Sequence, residues 1–411
     1  MNYHRGIQNL HLALTTSAVH TLDIQGPPKM FDEIWPNLDA SVLQNLSLFI
    51  PWARMPQNTP YPGPDFELRA PQLRSVSLSN FVVSWDATIL TNLTRLRLHL
   101  STSQFAPSMS QILEMLSCSP KLLELNLIHV IEASSRLPSS ESVAVVALSH
   151  LAAFVLDEDI RNTVFLLRHL VVPAACALTL KVFHRTQHEL SDLGSSICAS
   201  PPMVRLCVEG EPTSIVIRGY TESGSASPHR QIALRTGGGY SAKEIASIAG
   251  TFLESSTLST ATTLELIFPN PHSAAIPVEG WQLFLESFEA VKSFVVKPTT
   301  PHNLLMALSQ SAQILLPRLR NLELQRLDSC AKCLVDSGKS AGTRLGSWWQ
   351  KIEVIDVAET AVLEALLICL QTRQLLGSKI HSLRITHNGQ WSAEDLVPLH
   401  SVVNSISCCI L

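Results

Sequence analysis

A short apolar pattern, L-x-x-L-x-L with other apolar residues allowed, returns along most of the 411-residue chain. Its copies at Leu93, Leu122 and Leu151 begin 29 residues apart, at the long end of the period of about 20–29 residues that is typical of leucine-rich repeats. Because the last two apolar positions are two residues apart, their side chains point to one side of a short strand. Copies of the pattern begin at Ile7, Val19, Leu43, Leu73, Leu93, Leu122, Leu151, Ala175, Met203, Ala261, Val291, Leu319, Ile352 and Ile380.

Apolar residues at helical spacing lie between these strands, in segments 109–116, 281–288, 304–308 and 363–370. A strand and a helix of this length cannot bury their apolar faces alone, so neighbouring units must stack. The sequence therefore predicts an α/β fold, an irregular leucine-rich-repeat-like solenoid or horseshoe, with a parallel sheet on the concave side and helices on the convex side. A doubly wound α/β domain also alternates strands and helices, but it would not repeat one apolar pattern fourteen times.

The segment from Ser214 to Thr236 interrupts the period with two alternating apolar runs around a polar tip, which predicts an inserted β-hairpin. We therefore expect N-terminal repeat units over 1–210, an inserted hairpin over 211–240, and C-terminal units of the same solenoid over 241–411. The proline-rich segment 50–71 predicts a long surface loop between two strands.

Composition narrows the classes of function and the compartment. The chain has 30 Lys plus Arg against 34 Asp plus Glu, so it lacks the excess positive charge that drives binding to nucleic acid. No apolar run is long and uninterrupted enough to predict a secretory signal or a transmembrane segment. Nine cysteines, an odd number scattered through apolar segments, are typical of reduced thiols and favour the cytoplasm or nucleus.

The runs 71–80, 90–100 ("LTNLTRLRLHL") and 110–127 ("SQILEMLSCSPKLLELNL") resemble the repeat region of basidiomycete (fungal) F-box proteins. In that family an N-terminal F-box helps to dock the adaptor of a cullin-type ubiquitin ligase, and the leucine-rich part holds the protein to be ubiquitinated. The resemblance implies a non-enzymatic protein–protein interaction solenoid with an indirect link to a cullin-type ubiquitin ligase. The alternative is a stand-alone leucine-rich scaffold with no such link.

Two features depart from that family. The repeats begin at Ile7, which leaves no room for an F-box before them. The common leucine-rich repeat has an Asn or Cys five places beyond the second leucine of the pattern. Here those places hold residues such as Phe81, Ser101 and Val130, and Asn388 is the sole match. We therefore expect irregular turns without an asparagine ladder.

The residues that alternate with the apolar pattern predict the surface that meets a partner, an unknown protein ligand on the concave face. This face is polar and mixed in sign, which suits the choice of a protein partner by charge complementarity. The candidate partner-binding residues are Arg95, Arg97, His99, Glu124, Asn126, Arg205, Glu209, Asn321, Glu323, Gln325 and Arg384.

The last four residues fit the C-a-a-X prenylation pattern with Cys408 as the acceptor. The alternative is that these residues complete the apolar end of the solenoid, after a helical run that includes Leu396, Leu399 and Ile406. Membrane association is expected only if Cys408 is prenylated.

Short motifs of enzymes and metal sites occur without their usual context. Gly338 to Gly342 matches G-x-S-x-G, but no core strand delivers the serine to a turn. Cys330 and Cys333 have the spacing of half a zinc site and lack a nearby second pair. The acidic residues 157–159 precede a helical run over 160–172, where negative charge stabilises the start of a helix. We therefore expect no catalytic residue, no cofactor and no metal.

Overall fold

In the computed structural model the chain divides into two compact units, Met1–Phe183 (unit 1) and His184–Leu411 (unit 2). Each unit is an α/β structure built on a mostly parallel sheet. The structure describes residues 19–27, 30–31, 40–51, 61–62, 70–83, 85, 90–100, 106–131, 144–183, 187–197, 202–211, 214–221, 228–235, 250–252, 260–267, 276–297, 301–311, 313–327, 359–387 and 393–410.

Unit 1 contains a parallel sheet whose strands follow the chain order. Its described strands are β1 (Thr21–Gln25), β2 (Asn45–Phe49), β3 (Tyr61–Pro62), β4 (Ser75–Ser79), β5 (Phe81–Val82), β6 (Arg95–His99), β7 (Glu124–Ile128), β8 (Val146–Ala147), β9 (Ala153–Asp159), β10 (Leu170–Val171) and β11 (Ala177–Phe183). The sheet runs β1-β2-β4-β6-β7-β9-β11, and every pair in it is parallel. Two short parallel pairs, β3 with β5 and β8 with β10, lie outside this sheet.

The apolar pattern becomes a row of buried side chains across unit 1. Leu96 on β6 is paired in register with Leu125 on β7, which is paired with Phe154 on β9. All three side chains are buried, and the residues between the apolar positions of β6 and β7 are exposed or half-buried. The predicted apolar positions of these three strands are buried, whereas the other side of β9 carries the apolar residues Ala153 and Val155.

The helices of unit 1 begin at residues that satisfy the first free amide groups. Helix α1 (Met109–Ser117) follows Ser108, whose Oγ accepts a hydrogen bond from the Gln111 amide at 3.3 Å, within a capping box. Helix α2 (Ile160–His169) follows Asp159, whose carboxylate accepts from the Arg161 amide at 3.0 Å. The prediction of an acidic helix start is therefore confirmed at Asp159, although the helix ends before the predicted residue 172.

Unit 2 combines an antiparallel segment with a parallel one. Its described strands are β12 (Arg205–Glu211), β13 (Ser214–Tyr220), β14 (Arg230–Arg235), β15 (Thr263–Ile267), β16 (Ser293–Lys297), β17 (Asn321–Leu327), β18 (Ser382–His387) and β19 (Ser405–Ile410). They lie in the order β14-β13-β12-β15-β16-β17-β18-β19. The β12–β13 and β13–β14 pairs are antiparallel. The pairs β12–β15, β15–β16, β16–β17, β17–β18 and β18–β19 are parallel.

The helices of unit 2 alternate with the parallel strands. They are α3 (Gln187–Ser196), α4 (Val278–Glu286), α5 (His302–Gln310), α6 (Glu359–Leu375) and α7 (Ala393–His400). Helices α5 and α6 cover the predicted segments 304–308 and 363–370, whereas α4 ends two residues before the end of the predicted segment 281–288. Their inward residues, such as Phe284, Leu305 and Leu366, are buried. None of the helices in the described ranges is long and apolar enough to cross a lipid bilayer.

The end of unit 2 differs from its sequence prediction. Ile406 lies in strand β19, paired in register with Leu383, and not in a helical run. Helix α7 ends at His400, and a turn at 401–402 leads into the strand. Val403, Ile406 and Cys408 repeat the apolar pattern in a weaker form, because cysteine occupies its last position.

Candidate functional site

We call the polar face of the unit 1 sheet its open face. It carries Arg95, Arg97, His99, Glu124 and Asn126, which alternate with the buried leucines of β6 and β7. Arg95 lies opposite Glu124 in the register, and Arg97 lies opposite Asn126. The structure therefore brings these five predicted residues together on two neighbouring strands.

Two arginines share one carboxylate on this face. Arg95 Nε lies 3.3 Å from Glu124 Oε1, and Arg97 Nη2 donates to Glu124 Oε2 at 3.3 Å. The arginine side chains remain 56% and 60% exposed, so both keep donors directed to solvent. One negative charge against two positive ones leaves a local cationic surplus that an acidic partner can meet.

A shelf of small hydroxyl side chains adjoins the arginines. Ser75 and Ser77 on β4 are paired in register with Arg95 and Arg97. Both serines are half-buried. Because their side chains are short, the longer side chains of Arg95 and Arg97 extend further from the sheet. On the other side, Asn126 Oδ1 is buried and accepts no hydrogen bond within the described part of the chain. Such an acceptor is normally satisfied by water or by a partner.

His99 sits at the carboxyl end of β6 in a more polar environment. Its Nδ1 lies 3.3 Å from Ser79 Oγ. Burial lowers the pKa of His99, and nearby His129 lowers it further, while Asp157 opposes the shift. His99 therefore contributes hydrogen bonding and not positive charge to the open face near neutral pH.

The three acidic residues 157–159 have separate roles. Asp157 is buried and lies on the open side, where Lys181 Nζ is 3.9 Å from its Oδ2. Glu158 points to the core side and accepts hydrogen bonds from the backbone amides of Val130 and Ile131. Burial raises the pKa of Glu158 to about 8, despite these two amides. Of these three residues, only Asp159 caps a helix. The sequence-based interpretation of all three as helix-start charges therefore does not describe Asp157 and Glu158.

Two of the predicted partner-binding residues of unit 2, Arg205 and Glu209, lie on β12 and contact side chains of β13. The guanidinium of Arg205 lies over the ring of Tyr220, 3.9 Å from its centroid, a favourable cation–π geometry. Glu209 accepts from Arg218 Nη1 at 2.5 Å. Both partners lie on β13, directly beside β12. Sequence reasoning missed these contacts because they depend on the pairing of β13 along the whole of β12, which the apolar pattern does not predict.

The other predicted residues of unit 2 lie on β17 and β18. Glu323 accepts from Gln325 Nε2 at 2.6 Å, and Arg384 Nε is 3.6 Å from its Oε1. Arg384 remains 56% exposed, and Asn321 is exposed at the start of β17. Unit 2 therefore carries a second polar face whose charges are largely paired with each other.

The remaining candidates fall at the last strand or outside the described residues. Cys408 is exposed on β19, where its backbone is paired with Ile385. Cys330, Cys333, Asn388 and segment 338–342 lie outside the described residues. Within the described residues, no group of three or more His, Cys, Asp or Glu side chains has the geometry of a metal site.

Comparison with known proteins adds no assignment to this geometry. The sequence matches no family model and no curated protein. On the open face of unit 1, strands β4, β6 and β7 present charged and hydroxyl side chains in a fixed register. Such an arrangement can select a partner by complementarity.

Proposed function

We propose that the chain is a non-enzymatic protein-binding module, an irregular leucine-rich-repeat-like solenoid that resembles the substrate-recognition part of an F-box ubiquitin-ligase subunit. In this proposal the open faces form the concave side and the helices the convex side. We place the module in the cytoplasm or nucleus. The six cysteines in the described part of the chain are free, as expected in a reducing compartment.

The observation that carries the proposal is the pair Arg95 and Arg97 sharing Glu124 beside the serine shelf. The Cα atoms of alternate residues on one strand, such as Arg95 and Arg97, lie about 7 Å apart. An extended acidic segment has the same spacing between alternate carboxylates, so it can pair with both arginines at once. Arginine fits this role because its planar fork binds a carboxylate through two hydrogen bonds.

Affinity capture with a matched pair of variants tests the binding role. The double variant Arg95→Glu with Arg97→Glu reverses both charges on the open face. The control, Arg74→Glu with Lys121→Glu, makes the same change in net charge at exposed positions before β4 and β7. A partner that the wild type and the control retain, and that the open-face variant loses, supports the proposal. Equal recovery by all three proteins excludes the open face of unit 1 as the binding site.

The ligase link needs a separate measurement, because recovery of a partner does not by itself identify the adaptor or the cullin. The captured material is analysed by mass spectrometry for the adaptor and the cullin. A partner recovered without either protein favours the stand-alone leucine-rich scaffold. Direct binding of purified adaptor to this chain would support the ligase link.

A further inference from the structure

The most exposed large apolar side chains in the described part of the chain include two adjacent leucines in unit 2. Leu375, the last residue of α6, is 87% exposed, and Leu376 is 50% exposed. A single exposed leucine is common on a protein surface, whereas two adjacent exposed leucines form a larger apolar patch of the kind found at contact surfaces.

The turn that carries these leucines is firmly held. Arg373 is buried and donates to the carbonyl oxygens of Leu315 and Leu316 at 2.7 and 2.8 Å. Ser378 Oγ accepts from Arg373 Nη2 at 2.9 Å and donates to the Pro317 carbonyl oxygen at 2.9 Å. Because both sides of the leucine pair are anchored, their exposure is a fixed property of the turn.

Gly377 completes the turn and leaves space outside it. Its φ is 76°, a left-handed conformation that favours glycine at the end of a helix. A Cβ added at Gly377 would meet no atom within 4 Å. The leucine pair therefore projects from an open part of the surface.

Basic residues lie on the two segments that Arg373 and Ser378 join, next to the turn that carries the leucine pair. Arg318, Arg320 and His381 are exposed, and Lys379 is half-exposed. The His381 amide donates to the Arg320 carbonyl oxygen at 2.8 Å, which fixes the two segments side by side. Within the described residues none of the four forms an ion pair. Segments 313–321 and 371–382 contain no Asp or Glu. We call Leu375, Leu376 and these four residues the basic–apolar edge.

We propose that the basic–apolar edge docks unit 2 on an anionic lipid membrane. Leucine side chains at a bilayer surface gain free energy by burial among acyl chains, and basic residues around them attract anionic headgroups. An acidic nucleic acid would use the positive charges but gain little from two aliphatic side chains. The combination of an uncovered leucine pair with same-sign charges therefore favours the membrane.

Vesicle cosedimentation of the full chain tests this proposal. Vesicles of phosphatidylcholine with phosphatidylserine should bind the protein, and vesicles of phosphatidylcholine alone should bind it much less. Binding should weaken as NaCl rises from about 0.1 to about 1 M, because the Debye length falls from about 10 to about 3 Å. The variants Leu375→Ser with Leu376→Ser, and Arg318→Gln with Lys379→Gln, should each weaken partitioning by about fivefold or more.

Matched controls distinguish docking through the basic–apolar edge from nonspecific binding by other exposed apolar side chains. Leu283→Ser with Val171→Ser removes two other exposed apolar side chains, each 56% exposed, and should bind anionic vesicles like the wild type. Thermal melts check that every variant is folded. Equal binding to neutral and anionic vesicles, or wild-type binding by both edge variants, overturns the proposal. Binding to a single-stranded RNA oligomer without binding to vesicles would also overturn it.

Discussion

The side-chain amide of Asn80 donates a hydrogen bond to the backbone carbonyl oxygen of Ile50 at 2.8 Å, and both residues are buried. Asn80 has a φ of 62°, a left-handed conformation that asparagine adopts more readily than most residues. Its backbone amide also donates to the His99 carbonyl oxygen at 2.8 Å. Asn80, which follows β4, therefore links the residue after β2 to the last residue of β6.

Two substitutions of Asn80 separate its hydrogen bond from its backbone conformation. Asn80→Gly removes the side-chain hydrogen bond and leaves a buried carbonyl without its donor, which should cost about 1–3 kcal/mol. Asn80→Ala loses the same bond and must also hold a left-handed φ, at a further cost of about 1 kcal/mol. Urea unfolding measures both. An alanine variant as stable as the glycine variant would show that the backbone conformation contributes nothing.

The asparagine shows where counting along a pattern fails. Sequence reasoning looked for an asparagine ladder at Phe81 and equivalent places, whereas the asparagine that bridges neighbouring turns stands one residue earlier. The bridging asparagine occupies the residue at which the backbone leaves β4 with a positive φ. A fixed count from the leucines of the pattern does not identify that residue. His129 follows β7 as Asn80 follows β4, and it also has a positive φ, 52°.

The open face and the core should respond differently to mutation. The double variant Arg95→Glu with Arg97→Glu changes exposed side chains and a surface ion pair, so its free energy of unfolding should fall by less than about 1 kcal/mol. Leu125 is 1% exposed, and Leu125→Ala should cost about 2–5 kcal/mol. Circular-dichroism melts of the two proteins test this. A reversed order of costs would mean that the two faces of the sheet have been exchanged.

Glu158 should make the stability of unit 1 depend on pH. Its pKa rises from 4.5 to about 8 on folding. At pH 4.5 and below, both the folded and the unfolded states carry the proton. Between pH 4.5 and 8 the unfolded state has released it, so the contribution of Glu158 to stability falls as pH rises, by at most about 1.4 kcal/mol per pH unit. Above pH 8 the loss is complete.

Comparison with Glu158→Gln isolates this effect. Glutamine can accept the same two amide hydrogen bonds and does not titrate, so the variant should lack the part of the pH slope that Glu158 causes. Glu114→Gln changes an exposed carboxylate on α1 and should keep the wild-type slope. Parallel pH profiles for the wild type and Glu158→Gln, obtained from urea unfolding, would contradict the assignment.

Periodicity predicts the strands well because one apolar face per strand leaves a strong alternating signal, as in Leu96 and Leu98. It does not predict contacts between polar residues far apart in the chain. Glu158 on β9 accepts hydrogen bonds from the Val130 and Ile131 amides, which follow the neighbouring strand β7. From the sequence alone, Glu158 and Asp159 are equally good candidates to cap the helix that follows them. The hairpin contacts of Arg205 and Glu209 were hidden in the same way, because they depend on how β13 pairs with β12.

The last strand bears on the fate of Cys408. Its backbone is paired with Ile385, and the next two residues, Cys409 and Ile410, are paired with Thr386 and His387 on β18. Prenylation at Cys408 followed by removal of the last three residues would add an isoprenoid to its thiol and delete two of these three pairs, those of Cys409 and Ile410. We therefore expect the chain produced in a eukaryotic host to keep an unmodified C-terminal leucine. Intact-mass measurement of the wild type and of Cys408→Ser decides this. The two masses should differ only by the exchange of sulfur for oxygen, whereas an added isoprenoid and three missing residues in the wild type alone would place the protein on a membrane through its tail.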